Sequence, residues 1–213
     1  MEGVEYMGLI KRFYNQTRKP EGFLGRMMIR RMNRGHDRMA RWGMGYLKGL
    51  VPREILELGC GGGKNAGELL QLFPGAKVTA LDYSPLSVAR ARDRNRAAVA
   101  EGRCVVMEGD VSDLPLEADR FDLATAFETI YFWPGLEHCF AQVAKTLRPG
   151  GRFLIVNESD GTDETSLRFE QIIEGMRNYT VDQITDALKT AGFSEVRTDH
   201  HPENPWIIVL ARK

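Results

Sequence analysis

The chain has 213 residues, 43% of them hydrophobic and 27% charged, with equal numbers of basic and acidic side chains. These values are typical of a globular protein with one large core, and the zero net charge excludes a global field that would attract nucleic acid or an anionic membrane. The charge is unevenly divided, because residues 1–50 hold 11 basic and 4 acidic side chains whereas the remaining residues hold 18 and 25. A basic N-terminal segment therefore precedes an acidic body.

Cysteine spacing and apolar runs indicate the compartment. Cys60, Cys104 and Cys139 lack the paired spacing of a zinc site or a disulfide framework. The first residues contain no apolar core of signal-peptide length, and no stretch approaches a membrane span. We therefore expect a cytoplasmic protein with no membrane insertion.

The N-terminal segment, residues 1–49, is rich in Met and Arg and predicts one or two helices that are interrupted near residues 33–35. Methionine side chains adapt to irregular apolar surfaces. This helical segment is expected either to pack on the edge of the domain formed by residues 50–213 or to cap the ligand pocket of that domain.

From residue 50 onwards, short apolar runs alternate with amphipathic stretches, which predicts a parallel sheet covered by helices on both faces. A helix is predicted to start at Ser84-Pro85, because a capping hydroxyl precedes a proline at the first helical position. Another helix is predicted from Leu136 to Leu147, ending before the turn at residues 148–151. The predicted strands are residues 54–58, 77–81, 104–108, 121–127 and 152–156.

The last sixty residues predict a helix over 181–190 and two strands, near 194–198 and over 206–211. Strands this close in sequence pair most readily as an antiparallel hairpin, since a parallel pair requires a crossover of a dozen or more residues. The expected fold is α/β: a three-layer structure with a seven-stranded mixed sheet, a C-terminal antiparallel hairpin and an N-terminal helical segment.

A glycine-rich turn, ILELGCGGGKN at residues 55–65, follows the first predicted strand. The pattern Gly61-x-Gly63-x-x-Ala66 fits a dinucleotide turn only weakly. In the other template, Glu57 precedes Gly59, Gly61 and Gly63, and that pattern fits the turn that holds S-adenosylmethionine (SAM). The acid favours SAM, because it can organise the loop and the cationic amino group of the methionine part.

Two further carboxylates stand where strands are predicted to end. Asp82 closes the second strand and can accept hydrogen bonds from both hydroxyls of a ribose. Asp110 closes the third strand and can accept from an adenine amino group, while Val111 can offer its backbone N–H to the ring.

From residue 54 to about 158 the chain resembles the class I SAM-dependent methyltransferases. The glycine turn, the acid after the second strand, Gly-Asp-Val at 109–111 and LRPGGRFLIV at 147–156 occur in the order and spacing of that family. The resemblance implies a Rossmann-like fold, SAM as the cofactor and S-adenosylhomocysteine as the product. The predicted cofactor-binding residues are Glu57, Gly59, Cys60, Gly61, Asp82, Tyr83, Asp110, Val111 and Phe127.

The methyl acceptor is expected to lie beyond the carboxyl ends of the strands, beside residues 128–134 and 157–176. Because the methyl group on a sulfonium is already electrophilic, a general base is needed only where the acceptor must lose a proton. Tyr131, His36 and Glu128 are the candidate catalytic residues, and no metal ion is predicted. A small-molecule acceptor is expected, and a homodimer is one assembly that the sequence allows.

Three alternatives remain open. An RNA methyltransferase would track phosphates with the basic segment, although the motifs of DNA methyltransferases are absent and nucleic acid is not the expected partner. A SAM-binding sensor or scaffold would need no turnover. An NAD-dependent oxidoreductase would leave Glu57 and the hairpin unexplained. The arginines that the RNA alternative would use are Arg26, Arg30, Arg31, Arg34, Arg38 and Arg41.

Overall fold

The computed structural model describes residues 13–213, with the exception of the side chains of residues 31, 33 and 34. The helices are α1 (Gly22–Gly35), α2 (Asp37–Met44), α3 (Lys64–Leu72), α4 (Pro85–Arg94), α5 (Arg96–Ala100), α6 (Leu136–Thr146), α7 (Glu164–Ile172) and α8 (Val181–Thr190). The strands are β1 (Glu54–Leu58), β2 (Lys77–Asp82), β3 (Cys104–Glu108), β4 (Phe121–Phe127), β5 (Leu147–Asn157), β6 (Glu195–His200) and β7 (Ile207–Arg212).

These strands form a seven-stranded sheet with the order β3-β2-β1-β4-β5-β7-β6. Strands β1 to β5 pair with one another in parallel, and β7 runs antiparallel to both β5 and β6. The predicted mixed sheet and C-terminal hairpin are therefore confirmed. The strand order reverses between β1 and β4, and ligands of open α/β sheets bind beyond the strand ends at such a switch point.

Helices cover both faces of the sheet, as the three-layer prediction requires. On one face Phe153 and Ile155 of β5 pack against α6 and α8, whose Phe140 and Leu188 are fully buried. On the other face apolar side chains of β1, β2 and β4 pack against α2, α3 and α4. Parallel strands buried on both sides read as continuous apolar runs, which explains why the sequence locates them well.

The largest error in the predicted boundaries is the start of β5, which begins at Leu147 and not at residue 152. The Pro-Gly-Gly turn was interpreted as a helix stop, but it forms part of the strand. Two backbone hydrogen bonds join the turn to Lys213. The N–H of Gly150 donates to the carbonyl of Lys213, and the N–H of Lys213 donates to the carbonyl of Gly151. Gly150 has φ +79° and the β4–β5 register shifts nearby, so the glycines absorb a bulge within the strand.

The N-terminal segment divides into two parts with different surroundings. Helix α2 packs on the sheet, since its Met39 and Met44 are buried in the core together with Ile55 and Val156. Helix α1 precedes it and is joined to it at His36, the residue after α1 and before α2. Within residues 13–213, no helix is both long and apolar enough to cross a membrane.

Candidate active site

The glycine turn joins β1 to α3 at the switch point of the sheet. Gly59 and Gly63 have φ values of +68° and +72°, which L side chains rarely adopt. A Cβ at Gly59 would collide with Thr129, and a Cβ at Gly63 would lie 2.7 Å from the Cα of Ala91. Gly61, in contrast, faces open space. The turn therefore packs closely against the protein on two sides and leaves its backbone accessible at Gly61.

Asp82 holds this turn against the end of β2. Its Oδ2 accepts a hydrogen bond from the N–H of Gly61 at 2.8 Å, and its Oδ1 accepts from the N–H of Ser84 at 2.9 Å. Burial raises the pKa of the Asp82 carboxyl, while the two backbone donors act in the opposite direction. The carboxylate thus has a structural task in addition to any ligand it binds.

Tyr83 and Asp110 flank Asp82 on the cavity side. The hydroxyl of Tyr83 donates to the carbonyl of Arg18, so this side chain links the end of β2 to the N-terminal segment. Burial raises the pKa of Tyr83 to about 12, so the hydroxyl stays protonated and remains a donor. Asp110 is exposed and accepts from the N–H and the hydroxyl of Ser112 at 2.8 and 2.7 Å.

Glu57 lies behind the turn and does not line the cavity. It is 1% exposed, and its carboxyl accepts hydrogen bonds from the side chains of Thr125 and Asn65. Burial raises its pKa to about 8, although both hydrogen bonds lower it. Asn65 does line the cavity. This position fits a residue that organises the loop. Glu57 could influence a ligand only indirectly, through its hydrogen bond to Asn65.

The raised pKa of Glu57 predicts a specific dependence of stability on pH. Its folded pKa of about 8 exceeds the ordinary value of 4.5, so its contribution to stability is present below pH 4.5 and is lost as the pH rises towards 8. We expect Glu57→Gln to gain unfolding free energy relative to the native protein between about pH 5 and about pH 8. Urea unfolding at both values measures this difference.

A matched control is Glu101→Gln, because the side chain of Glu101 is 57% exposed and pairs only with Arg103. This variant should differ from the native protein by the same small amount at both pH values. Equal pH dependence in the native protein and Glu57→Gln would show that the buried carboxyl is ionised in the folded state.

A cavity of about 860 Å³ extends from the glycine turn across the ends of β1, β4 and β5. It lies near the upper end of the range for small-molecule sites, ~300–1,000 Å³. Of the predicted cofactor-binding residues, all except Glu57 line it: Gly59, Cys60, Gly61, Asp82, Tyr83, Asp110, Val111 and Phe127. The three candidate catalytic residues line it as well: His36, Glu128 and Tyr131.

The three catalytic candidates meet at a fourth residue, Glu158. Nε2 of His36 lies 3.8 Å from Oε2 of Glu158, and the two side chains are 30% and 35% exposed. Glu128 accepts from the hydroxyl of Tyr131 at 2.8 Å and from the N–H of Glu158. The ends of β4 and β5 thereby bring two carboxyls and an imidazole together at one point of the cavity wall.

Glu128 has an unusual backbone conformation, with φ +58° in a residue other than glycine. A positive φ is uncommon in residues other than glycine. Residues with this conformation cluster at functional sites, where the surrounding structure holds them in place. Here the N–H of Glu128 donates to the carbonyl of Val156 at 3.0 Å, which fixes the turn after β4 against β5. The conformation directs the Glu128 carboxyl to the start of the segment that carries Glu158.

The electrostatics of this cluster suit a proton acceptor. Burial lowers the pKa of His36, and the nearby Glu158 raises it, so the imidazole is neutral and basic near neutral pH. Burial raises the pKa of Glu158 and of Glu128, and the charge of Glu128 raises that of Glu158 further. A carboxyl next to an imidazole can stabilise the imidazolium that forms when the ring takes up a proton.

The same three side chains, His36, Glu128 and Glu158, offer ligand atoms within 4.8 Å of one another, a spacing that a metal ion could use. One oxygen of Glu128 already accepts two hydrogen bonds, from Tyr131 and from the chain at Glu158. The prediction of no metal ion therefore stays a prediction.

The sequence placed residues 157–176 beside the acceptor but did not single out Glu158 among them. Glu158 directly follows a buried strand, and an acid in that place was the available signal. The contact of α1 with the cavity gave no such signal, because it depends on the assembled fold. The apolar residues that α1 and the segment after β5 add to the cavity are Met28, Met32, Phe169, Ile173 and Met176.

Comparisons with known proteins show what the central part of the chain resembles. Residues 55–151 match the family model described as a methyltransferase domain. A solved SAM-dependent methyltransferase from Mesorhizobium loti shares the fold with a TM-score of 0.68 and 22% identity, over 83% of this chain and 99% of that one. Residues 55–151 thus resemble a methyltransferase domain, and the sheet has the Rossmann-like fold of that neighbour. The predicted resemblance is confirmed.

Among curated relatives, the 27-O-demethylrifamycin SV methyltransferase of Amycolatopsis mediterranei is 30% identical over 68% of this chain and 57% of its own length. The sterol 24-C-methyltransferase of Saccharomyces cerevisiae is 28% identical over 73% of this chain and 44% of its own length. The chain spans about half the length of these curated relatives.

Proposed function

We propose that this protein transfers a methyl group from SAM to a small apolar molecule. The observation that carries the proposal is a single cavity whose wall includes the glycine turn, Asp82, several apolar side chains and the His36–Glu158 pair. SAM supplies an electrophilic methyl group on its sulfonium. The residues of the chain would bind and align both molecules, exclude water and accept a proton.

The cofactor end of the cavity fits SAM in shape and chemistry. Gly61 is open where a ligand must approach the backbone, and Asp82 and Asp110 stand at the ends of neighbouring strands. Asp82 would accept from the ribose hydroxyls, and Asp110 with Val111 would contact the adenine. Glu57 would act through Asn65, as a positioning residue. A dinucleotide would gain nothing from the buried acid behind the turn.

The other end of the cavity favours an apolar acceptor. Met28 and Met32 of α1 line the cavity together with Phe169 of α7 and Ile173, and these side chains offer no charge to a ligand. The two curated relatives are named for acting on a rifamycin and a sterol. Those names support an acceptor of the same broad kind here, a small molecule with a large apolar surface.

The residues before α2 would form the cap. Tyr83 binds the carbonyl of Arg18, and the hydroxyl of Ser84 donates to the carbonyl of Pro20 at 3.2 Å, so the segment is attached at the cofactor end of the cavity. We restrict the proposed cap to residues before His36, because α2 is part of the core. Residues 1–12 of the predicted segment lie outside the described part of the chain.

His36 would be the general base. As the acceptor attacks the methyl carbon, the bond from carbon to sulfur breaks, S-adenosylhomocysteine leaves, and the proton of the acceptor passes to the imidazole beside Glu158. Tyr131 and Glu128 would position Glu158 through the hydrogen bonds of the β4–β5 turn. An acceptor with an ionisable O–H, N–H or C–H group suits this arrangement.

The expectation of a reducing cytoplasm is supported by the three cysteines, which are buried and form no disulfide. A homodimer remains an expectation. The RNA alternative is weaker, since the apolar side chains of Met28, Met32, Phe169 and Ile173 line the cavity. A sensor or scaffold would have no use for a base beside the cavity.

Two measurements test the proposal. Calorimetry should show binding of SAM and S-adenosylhomocysteine and no binding of NAD or NADP. The protein with SAM and pools of apolar small molecules should then yield products heavier by one methylene in mass spectrometry. Affinity for NAD without a response to SAM would overturn the cofactor assignment, and SAM binding without methyl transfer to any pool would favour the sensor.

A further inference from the structure

Helix α1 presents apolar side chains on two opposite faces. Its inner face buries Met28 and Ile29, and Met28 lines the cavity. Its outer face exposes Phe23 to 68%, Met27 to 45% and Leu24 to 37%. Exposed apolar side chains that recur at helical spacing indicate a surface that contacts something other than water.

Basic side chains lie along one side of this outer face. Arg26 and Arg30 of α1 and Arg90 and Arg94 of α4 line a shallow depression of about 260 Å³ between the two helices. Asp93 lies among them, and its carboxylate is 3.7 Å from Arg96. Within the described part of the chain, no carboxylate lies within 4.0 Å of the four guanidinium groups. The patch therefore carries a strong positive charge on a neutral protein.

From this combination we propose that the outer face of α1, together with Arg90 and Arg94, docks on the surface of an anionic lipid bilayer. Arginines at the edge attract anionic headgroups, and each contributes roughly fivefold to binding. Phe23 and Met27 lie beside Arg26 and Arg30 on α1 and gain by entering the boundary between headgroups and acyl chains. Nucleic acid would also be attracted by the arginines, and an unpaired base can stack on a phenyl ring, but only a bilayer gives Phe23, Leu24 and Met27 together an apolar environment.

The location of the patch connects docking to the cavity. Because α1 has the patch on one face and Met28 on the other, an apolar acceptor could pass from a bilayer into the cavity along this helix. This second step rests on the proposed function, whereas docking itself does not. An enzyme held at the surface in this way would reach acceptors that are scarce in water.

The test is flotation of the full-length protein with phosphatidylcholine vesicles that contain or lack phosphatidylglycerol. The native protein should float with the anionic vesicles, should remain in solution with neutral ones, and should be released by salt. Arg26→Gln combined with Arg30→Gln should weaken binding by about 25-fold. Phe23→Ser combined with Met27→Ser should weaken vesicle binding, and the binding that remains should be more sensitive to salt.

Matched controls carry the same chemical changes elsewhere. Val51→Ser removes an apolar side chain that is 89% exposed, and Arg197→Gln removes an exposed charge on β6, at the far edge of the sheet. Both should bind vesicles like the native protein. SAM binding by calorimetry shows that every variant is folded.

Failure of the native protein to float at low salt, or loss of binding in the controls equal to that in the patch variants, would overturn the proposal. Binding of a short RNA through Arg26 and Arg30, with no vesicle binding, would do so as well. In each of these cases methyl transfer to a soluble acceptor would leave the proposed function standing. Vesicle binding by a native protein that fails to bind SAM would support docking and contradict the proposed function.

Discussion

His36→Asn is expected to lower the rate of methyl transfer by roughly 10²–10⁴-fold, the usual contribution of a general base. The fold should survive, because the backbone of His36 makes the helical hydrogen bonds and its side chain caps neither helix. Asparagine is also a favoured residue before a helix. The dissociation constant of SAM should stay close to the native value, since the imidazole faces Glu158 and not the glycine turn.

Single-turnover kinetics under saturating SAM measure the effect, and His200→Asn is the matched control. His200 is exposed on β6 and does not line the cavity. The control should react at the native rate. A native rate in His36→Asn would leave the imidazole as a packing residue, and the acceptor would then react without a base at this position.

Glu158→Gln tests the same proposal through the pH dependence of the rate of methyl transfer. In the native protein the rate should rise with pH as His36 and Glu158 lose their protons, because the base acts when neutral and its partner acts when ionised. Burial raises the pKa of Glu158, so this rise should extend well above the ordinary carboxyl range. Removing the carboxylate should lower the rate, lower the pKa of His36 further and move the rise to lower pH. An unchanged pH profile would contradict the role of Glu158.

The sheet could be predicted from sequence because its buried strands are continuous apolar runs bounded by turns. Strands β1, β3 and β4 have the predicted limits, and α8 begins after a threonine that caps it through a capping box with Gln183. The start of β5 could not be predicted, since proline and two glycines indicate a turn locally. Only pairing with the C-terminal residue reveals that this turn belongs to the strand.

The site was predictable where its residues follow strands and unpredictable where distant elements meet. Asp82 and Asp110 follow strand ends, so their position was evident from the chain. The partner of His36 was not, because a histidine between two helices gives no indication of which strand end it will face. The sequence indicated a break near residues 33–35, but it did not show that Met39 and Met44 of α2 are core residues whereas Met28 of α1 lines the cavity. For this reason point substitutions test the cap better than deletion does.

Asp82→Ala is expected to weaken SAM binding by roughly 10–100-fold. Hydrogen bonds to charged groups contribute about 1.5–3 kcal/mol each, and a change of 1.4 kcal/mol corresponds to a factor of about ten. The proposed ribose contacts would be lost directly. In addition, the N–H groups of Gly61 and Ser84 would lose their acceptor, so the glycine turn would be held less firmly in the shape that meets the cofactor. Calorimetry with SAM and with S-adenosylhomocysteine measures the loss.

Two further variants separate the ligand contact from the structural one. Asp82→Asn keeps one oxygen acceptor, so it should retain more stability than Asp82→Ala while still losing affinity for SAM. Asp186→Ala, which removes a carboxylate that is 79% exposed on α8, should match the native protein in both respects. If Asp82→Asn binds SAM as tightly as the native protein, the carboxylate supports only the turn. The cofactor would then have to be held by the backbone around Gly61 and by Asp110.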